Sequence, residues 1–124
     1  MDADRRRTAR ETCRVLRVAL HRRHPPRDLI FHSDRGTEYM GAAFCALLVR
    51  HHVLQSASVR GPGDNAHAES FFHSLKAELT RGVVFTSEHA LRTALTQYIR
   101  YYNARRRHSA LGYTSPIAFE HRVA

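Results

Sequence analysis

DLIFHSDRG, residues 28–36, joins a short β-prone apolar run to a turn that carries an acid. The run predicts a buried strand, and the turn residues from Ser33 to Gly36 end it. Asp34 is therefore predicted at the C-terminal end of a strand, where α/β sheets usually bind their ligands. An aspartate in such a turn has an ordinary alternative, because its side chain often hydrogen-bonds the backbone two residues on.

Apolar residues on both sides of this strand recur three and four positions apart, which is the spacing of one helical face. Before the strand, this pattern predicts a helix over residues 8–23. After it, the pattern predicts a second helix with Phe44, Leu47 and Leu48 on its inner face. A β-prone run at residues 53–57 predicts a second strand. The alternation of helices and strands is typical of an α/β fold.

The C-terminal half of the sequence is predicted to be helical. A helix is expected over residues 66–81, with Asp64 or Asn65 as its N-cap. A longer amphipathic helix is expected over residues 87–103. A last short helix is expected to begin at Pro116, since proline is favoured at the first helical position.

The composition favours a single domain with a polyanionic partner. The 124 residues are 43% hydrophobic and 25% charged, and they carry a formal net charge of +9. Such a basic balance indicates nucleic acid. We expect one domain over residues 1–124, in which residues 98–124 form a basic C-terminal extension. The N-terminal residues do not resemble a secretory signal and no segment is long and apolar enough to span a bilayer, which predicts a cytoplasmic protein.

Ten histidines and two cysteines raise the alternative of a metal protein. No CxxC or HExxH spacing organises them, so solvent-facing or DNA-facing histidines are the preferred interpretation. Cys13 and Cys45 are expected to be free thiols. A carboxylate site is better supported, because phosphodiester chemistry commonly uses divalent ions held by a few acids. Asp34 and Glu69 are the candidates, with Lys76 two helical turns beyond Glu69 on the same face. Individually, Glu69 is also explained by the helix dipole and Lys76 by a solvated surface.

Three blocks of sequence resemble a known family. They are HSDRGTEY at 32–39, SASVRGPGDNAHAESFFHSLKAEL at 56–79 and YIRYYNARRRHSALGYTSPIAFE at 98–120. In this order they closely resemble the integrase core of insertion-sequence transposases, the OrfB type related to retroviral integrases. The resemblance implies that Asp34 is the second catalytic aspartate and Glu69 the catalytic glutamate of a DDE triad. Both would then be ligands of Mg²⁺ or Mn²⁺.

The resemblance also implies a ribonuclease-H-like α/β fold, in which an antiparallel meander of three strands precedes helices that alternate with two further strands. The matching blocks correspond to the part after the meander. We therefore expect an incomplete fold with a helix-rich remainder, an exposed strand edge near Ile30 and a tendency to self-associate. Asp2 and Asp4 precede a helix and are not credible first catalytic aspartates. The spacing from Asp34 to Glu69 is one residue shorter than is usual in the family.

Five basic residues and one asparagine within the resembling blocks are predicted to contact DNA, the basic ones through its phosphates. For the run of three arginines at residues 105–107, the alternative is a basic tail that is simply solvated. The predicted DNA-binding residues are Arg60, Asn65, Lys76, Arg105, Arg106 and Arg107.

Three functions remain open from the sequence. The leading hypothesis is a transposase core for DNA integration by metal-dependent strand transfer, inactive by itself because it lacks the first aspartate, associated with the bacterial nucleoid and able to form homo-oligomers. The second is a non-catalytic DNA-binding or regulatory fragment that associates with full-length transposase. The third, a small basic RNA-binding protein, explains the charge but leaves Asp34 and Glu69 unaccounted for.

Overall fold

The computed structural model describes residues 2–59 and 65–123, and of residues 2–7 it describes the backbone only. The chain divides into two compact units, Met1–Glu69 and Ser70–Ala124. The single domain predicted over residues 1–124 stays a prediction. In the part of the chain just named, no helix has the length and apolar character needed to cross a membrane.

The first unit alternates helices with two short strands, as predicted. Its elements are α1 (Asp2–Arg23), β1 (Ile30–Ser33), α2 (Thr37–Met40), α3 (Ala42–Arg50) and β2 (Leu54–Ala57). Helix α1 begins six residues before the predicted start. Residues 2–7 are nearly all charged, so an apolar periodicity does not detect them.

Strands β1 and β2 pair in parallel, with Ile30 opposite Leu54 and Ser33 opposite Ala57. One face of this pair packs on a core drawn from α1, α3 and the residue before β2. Phe31 and Tyr39 pack against that core from its edge. The buried core residues are Cys13, Leu16, Leu20, Phe44, Leu47, Leu48 and Val53.

The prediction that β1 is a buried strand was wrong for one of its two faces. Ile30 is 64% exposed and its register partner Leu54 is 50% exposed. Side chains alternate along a strand, so the packing of Phe31 on the core turns Ile30 to the opposite face. Parallel strands are normally covered on both faces. The exposed apolar surface near Ile30 therefore agrees with the incomplete sheet that we expected.

The second unit is helical. Helix α4 (Ala66–Leu75) spans the division between the units and continues into a π-helical segment, Lys76–Thr80. It is followed by α5 (Glu88–Ala104) and α6 (Pro116–Val123). The continuous α-helix predicted over residues 66–81 is thus interrupted at Lys76, where the hydrogen-bond spacing widens. Side-chain periodicity gives no signal for that change.

The ends of the later helices follow their sequence signals. Ser87 caps α5, because its hydroxyl accepts a hydrogen bond of 3.0 Å from the Ala90 N–H. Gly112 turns the chain before α6 with φ of +67°, a conformation that glycine adopts without strain. Pro116 is the first residue of α6, as predicted.

Candidate functional site

Asp34 is exposed and follows directly after the last residue of β1. Its Oδ1 accepts a hydrogen bond of 2.7 Å from the Gly36 N–H, which is the local turn bond that the sequence offers as its ordinary explanation. This bond fixes the orientation of the carboxylate and leaves it open to solvent. A held, exposed carboxylate at a strand end suits ligand binding as well as turn formation.

The loop of Asp34 is fastened to the chain that leaves β2. The buried Ser58 donates its N–H to the Ser33 carbonyl at 2.9 Å, and Arg35 Nε donates to the Ser58 carbonyl at 3.0 Å. His32 lies between two hydroxyls, with Nδ1 2.8 Å from Ser56 Oγ and Nε2 3.2 Å from Ser58 Oγ. These bonds hold the two strand ends together, so the position of Asp34 is set by both strands.

A second carboxylate, which the sequence analysis missed, lies beside Asp34. A Cβ placed on Gly36 would be 2.9 Å from Asp34 Oδ1 and 2.9 Å from Glu38 Oε1. Burial raises the pKa of the Tyr39 hydroxyl, and the nearby charges of Glu38 and Asp34 raise this pKa further. Asp34 and Glu38 stand two positions before and two positions after Gly36, and this spacing is the sequence signal that indicates Glu38.

Glu69 lies in the first turn of α4 and is exposed. Lys76 is also exposed and is the first residue of the π-helical segment, and its role beside Glu69 stays a prediction. Asn65, directly before α4, is half-buried. The convergence of Asp34 and Glu69 on a common ion stays a prediction.

The chemistry of these side chains suits a hard divalent cation. Mg²⁺ prefers oxygen ligands and is commonly held by one or two carboxylates together with water and substrate phosphates. Asp34 and Glu69 offer carboxylate oxygens exposed to solvent. Among the side chains that the structure describes, those of residues 8–59 and 65–123, no group of three or more His, Cys, Asp or Glu is placed to hold a metal ion. The pair of ligands predicted from the sequence, Asp34 and Glu69, stays a prediction.

The three consecutive arginines do not share one environment. Arg106 Nε and Nη2 donate to Glu78 Oε1 at 2.8 and 2.7 Å, and its guanidinium lies 5.7 Å from the centre of the Tyr102 ring. Arg105 and Arg107 are exposed. Arg106 thus has a structural partner, whereas its two neighbours are presented to solvent. Its predicted DNA contact stays a prediction.

Glu78 is the centre of this network and was not singled out in the sequence. Besides Arg106, it accepts a hydrogen bond of 2.6 Å from the buried Tyr98 hydroxyl. The hydrogen bond from Arg106, followed by that from Tyr98, lowers the pKa of the Glu78 carboxyl. Burial, and next the bond to Glu78, raises the pKa of Tyr98 above its ordinary value.

Of the remaining predicted DNA contacts, Arg60 lies outside the described residues, as does the alternative cap Asp64. The loop of residues 61–64, to which we assign the one-residue shortening between Asp34 and Glu69, lies outside them as well. Contacts between aromatic rings hold the turn that follows α5. Tyr102 meets Phe71 at 4.9 Å and His108 at 4.6 Å between ring centroids, both edge to face. This packing holds the segment that carries Arg105 and Arg107.

The sequence matches characterised proteins along most of its length. The family model of the integrase core domain matches residues 50–116. The transposase InsF of insertion sequence IS3A from Escherichia coli is 45% identical over 119 residues, which are 94% of this chain and 41% of the relative. The transposase of insertion sequence element IS904 from Lactococcus lactis is 38% identical over 104 residues, 82% of this chain and 41% of the relative. The chain thus spans 41% of the length of both curated relatives.

Proposed function

This chain belongs to the integrase core domain family, and from that premise we propose that it forms part of a transposase that integrates DNA by metal-dependent strand transfer. The observation that carries the proposal is the location of Asp34, an exposed carboxylate fixed at the end of a parallel strand pair. Relatives named as transposases, matched over 94% and 82% of this chain, support the same function.

In the proposed reaction, a DNA hydroxyl attacks a phosphodiester, one phosphorus–oxygen bond forms and another breaks, and the leaving oxygen takes up a proton. Asp34 and Glu69 would hold a divalent ion, Mg²⁺ or Mn²⁺. In such chemistry two divalent ions are commonly used, and when bound one would activate the attacking oxygen while the other would stabilise the leaving oxygen. Asp34 is suited to this role because the Gly36 N–H and the bonds between the two strand ends orient it before any ligand binds.

The DNA backbone would be held by cations that the structure leaves exposed. Lys76 is the first residue of the π-helical segment that follows α4, and Arg105 and Arg107 flank the paired Arg106. We assign Arg106 a supporting role in this proposal, since its charge is partly neutralised by Glu78. Replacing Arg105 and Arg107 with glutamine is therefore expected to weaken DNA binding and its salt dependence more than replacing Arg106 alone.

Metal binding is the sharpest test of the carboxylate pair. Mn²⁺ titration of the 124-residue chain, followed by calorimetry or by the electron paramagnetic resonance of free Mn²⁺, is expected to show binding that both Asp34→Asn and Glu69→Gln weaken by at least tenfold. Glu88→Gln is the matched control, because Glu88 is also an exposed acid in the first turn of a helix. Equal losses in all three variants would contradict the assignment.

The hypothesis of a non-catalytic partner of full-length transposase has one observation in its favour. Ile30 and Leu54, paired in register, leave an apolar strip on the uncovered face of the sheet. A longer chain of the same family is a partner that this strip would fit. Co-purification with a full-length transposase, lost on replacement of Ile30 and Leu54 by threonine, would favour this second function over the first.

A further inference from the structure

The end of the first unit where both strands begin carries a cavity of about 500 Å³. Helix α1 ends at Arg23 and α3 at Arg50, and the turns after them meet here, since the Asp28 N–H donates to the His52 carbonyl at 2.8 Å. The lining residues are Arg17, Leu20, His21, His24, Pro25 and His51. Because β1 and β2 are parallel, this end lies opposite Asp34, roughly 13 Å away along four strand residues.

The charges around this cavity are almost all of one sign. Asp28 is the one acid in residues 17–28 and 46–54, and these segments together hold five arginines and four histidines. The four basic side chains of the lining are all exposed. No ion pair engages Arg17 in the described part of the chain. Helix dipoles account for cations in a last helical turn, but Arg17 lies before the last turn of α1.

The backbone supports a role for the histidine rings themselves. His24 and His52 follow the ends of α1 and α3 with φ of +44° and +55°, in the left-handed region. Glycine is the usual residue at such a position after a helix, because it adopts the conformation without strain. Strained residues of this kind concentrate at functional sites. Two histidines in place of two glycines add basic groups to the surface at some cost in strain.

We propose that this strand-start surface, defined by Arg17, His21, His24 and His51, binds the phosphate backbone of duplex DNA at a place separate from the Asp34 end. Arg27 and Arg50, both exposed, extend the positive charge beyond the cavity, which fits a polyanion better than a small enclosed anion. Such contacts are independent of base sequence and position the protein on the duplex. The inference rests on the proposed function for the choice of DNA as the partner.

The dependence of DNA affinity on salt concentration measures how many phosphates the protein neutralises. Binding of the chain to a short fluorescent duplex is followed by anisotropy at several salt concentrations. For Arg17→Gln we expect the slope of log K against log salt to fall by about 0.9, the value for one phosphate contact. Arg14→Gln is the matched control. It removes the same charge from the same helix, but Arg14 is paired with Glu11 at 2.9 Å, so the slope should stay unchanged.

A second variant distinguishes a loss of DNA affinity from a loss of stability. His24→Gly removes the ring and relieves the left-handed strain, so the melting temperature should hold while DNA affinity falls severalfold. An unchanged slope for Arg17→Gln, or an equal fall for Arg14→Gln, overturns the inference. If inorganic phosphate at constant ionic strength abolishes the Arg17 effect, the cavity binds small anions and the inference also fails. Absence of any DNA binding by the unaltered chain contradicts the proposed function itself.

Discussion

The Tyr98 hydroxyl lies 2.6 Å from Oε2 of Glu78 and donates a hydrogen bond to it. The same carboxylate holds the guanidinium of Arg106, so one acid joins the π-helical segment, α5 and the turn after α5. The side chains of Arg106 and Glu78 are only 24% and 35% exposed. Hydrogen bonds to charged groups at such partly buried positions contribute more than exposed ion pairs do. The second unit therefore depends on Glu78 for the placement of its C-terminal segment.

Glu78→Gln is expected to lower the free energy of unfolding by about 1–2 kcal/mol, because Arg106 loses its charged partner. Urea denaturation followed by circular dichroism measures the change. Glu88→Gln is the control, since Glu88 pairs with Arg92 at 2.7 Å but both side chains are 76% exposed. That variant should change the stability by less than about 0.5 kcal/mol. Similar losses in both variants would show that the burial of the Glu78 pair has no special effect.

The stability of the chain is expected to depend on the charge of Glu78. Its folded pKa is lowered below the ordinary value of 4.5, chiefly by the hydrogen bond from Arg106. As the pH falls, the unfolded chain therefore takes up a proton at Glu78 before the folded chain does. The stability that ionised Glu78 contributes is fully present above pH 4.5 and is lost as the pH falls through the folded pKa. The difference in unfolding free energy between the unaltered chain and Glu78→Gln should shrink as the pH falls below 4.5. A difference that is constant with pH would refute the assignment.

Much of the fold was predictable because its elements have strong local signals. The inner face of α3 was correctly predicted, since Phe44, Leu47 and Leu48 are all buried. The exposed face of β1 was not, because an apolar run such as Leu29-Ile30-Phe31 does not reveal whether one face or both are covered. The π-helical segment was not predicted either, since it changes hydrogen bonding without changing the residue pattern.

For the site, the sequence located single residues better than their partners. Asp34 was placed correctly at the end of a strand, because strand and turn signals are local. Glu78 was missed, since its partner Tyr98 is 20 positions away and only the tertiary structure brings the two together. Arg106 was grouped with Arg105 and Arg107 for the same reason. Periodicity identifies faces of elements, whereas ion-pair partners depend on how those elements pack.

Gly36→Ala is expected to displace the carboxylates of Asp34 and Glu38 at little cost in stability. An added Cβ would lie 2.9 Å from an oxygen of each, and both are ends of flexible side chains. The backbone at Gly36, with φ −55° and ψ 143°, also accepts alanine. Mn²⁺ affinity should fall severalfold while the free energy of unfolding changes by less than about 0.5 kcal/mol. The control is Gly41→Ala, whose Cβ would lie 3.5 Å from its nearest neighbour. Unchanged Mn²⁺ affinity in Gly36→Ala would argue against a metal at Asp34.

The apolar strip of Ile30 and Leu54 should make the isolated chain associate with itself as its concentration rises, because a two-stranded parallel sheet normally has both faces covered. Threonine at both positions keeps the β propensity and removes apolar surface, so sedimentation velocity should show less association. Val84→Thr is the control, since Val84 is 90% exposed and lies outside the sheet. A chain that stays monomeric at every concentration would show that this face does not drive assembly. If Val84→Thr lowered self-association equally, the strip of Ile30 and Leu54 would have no specific role in assembly.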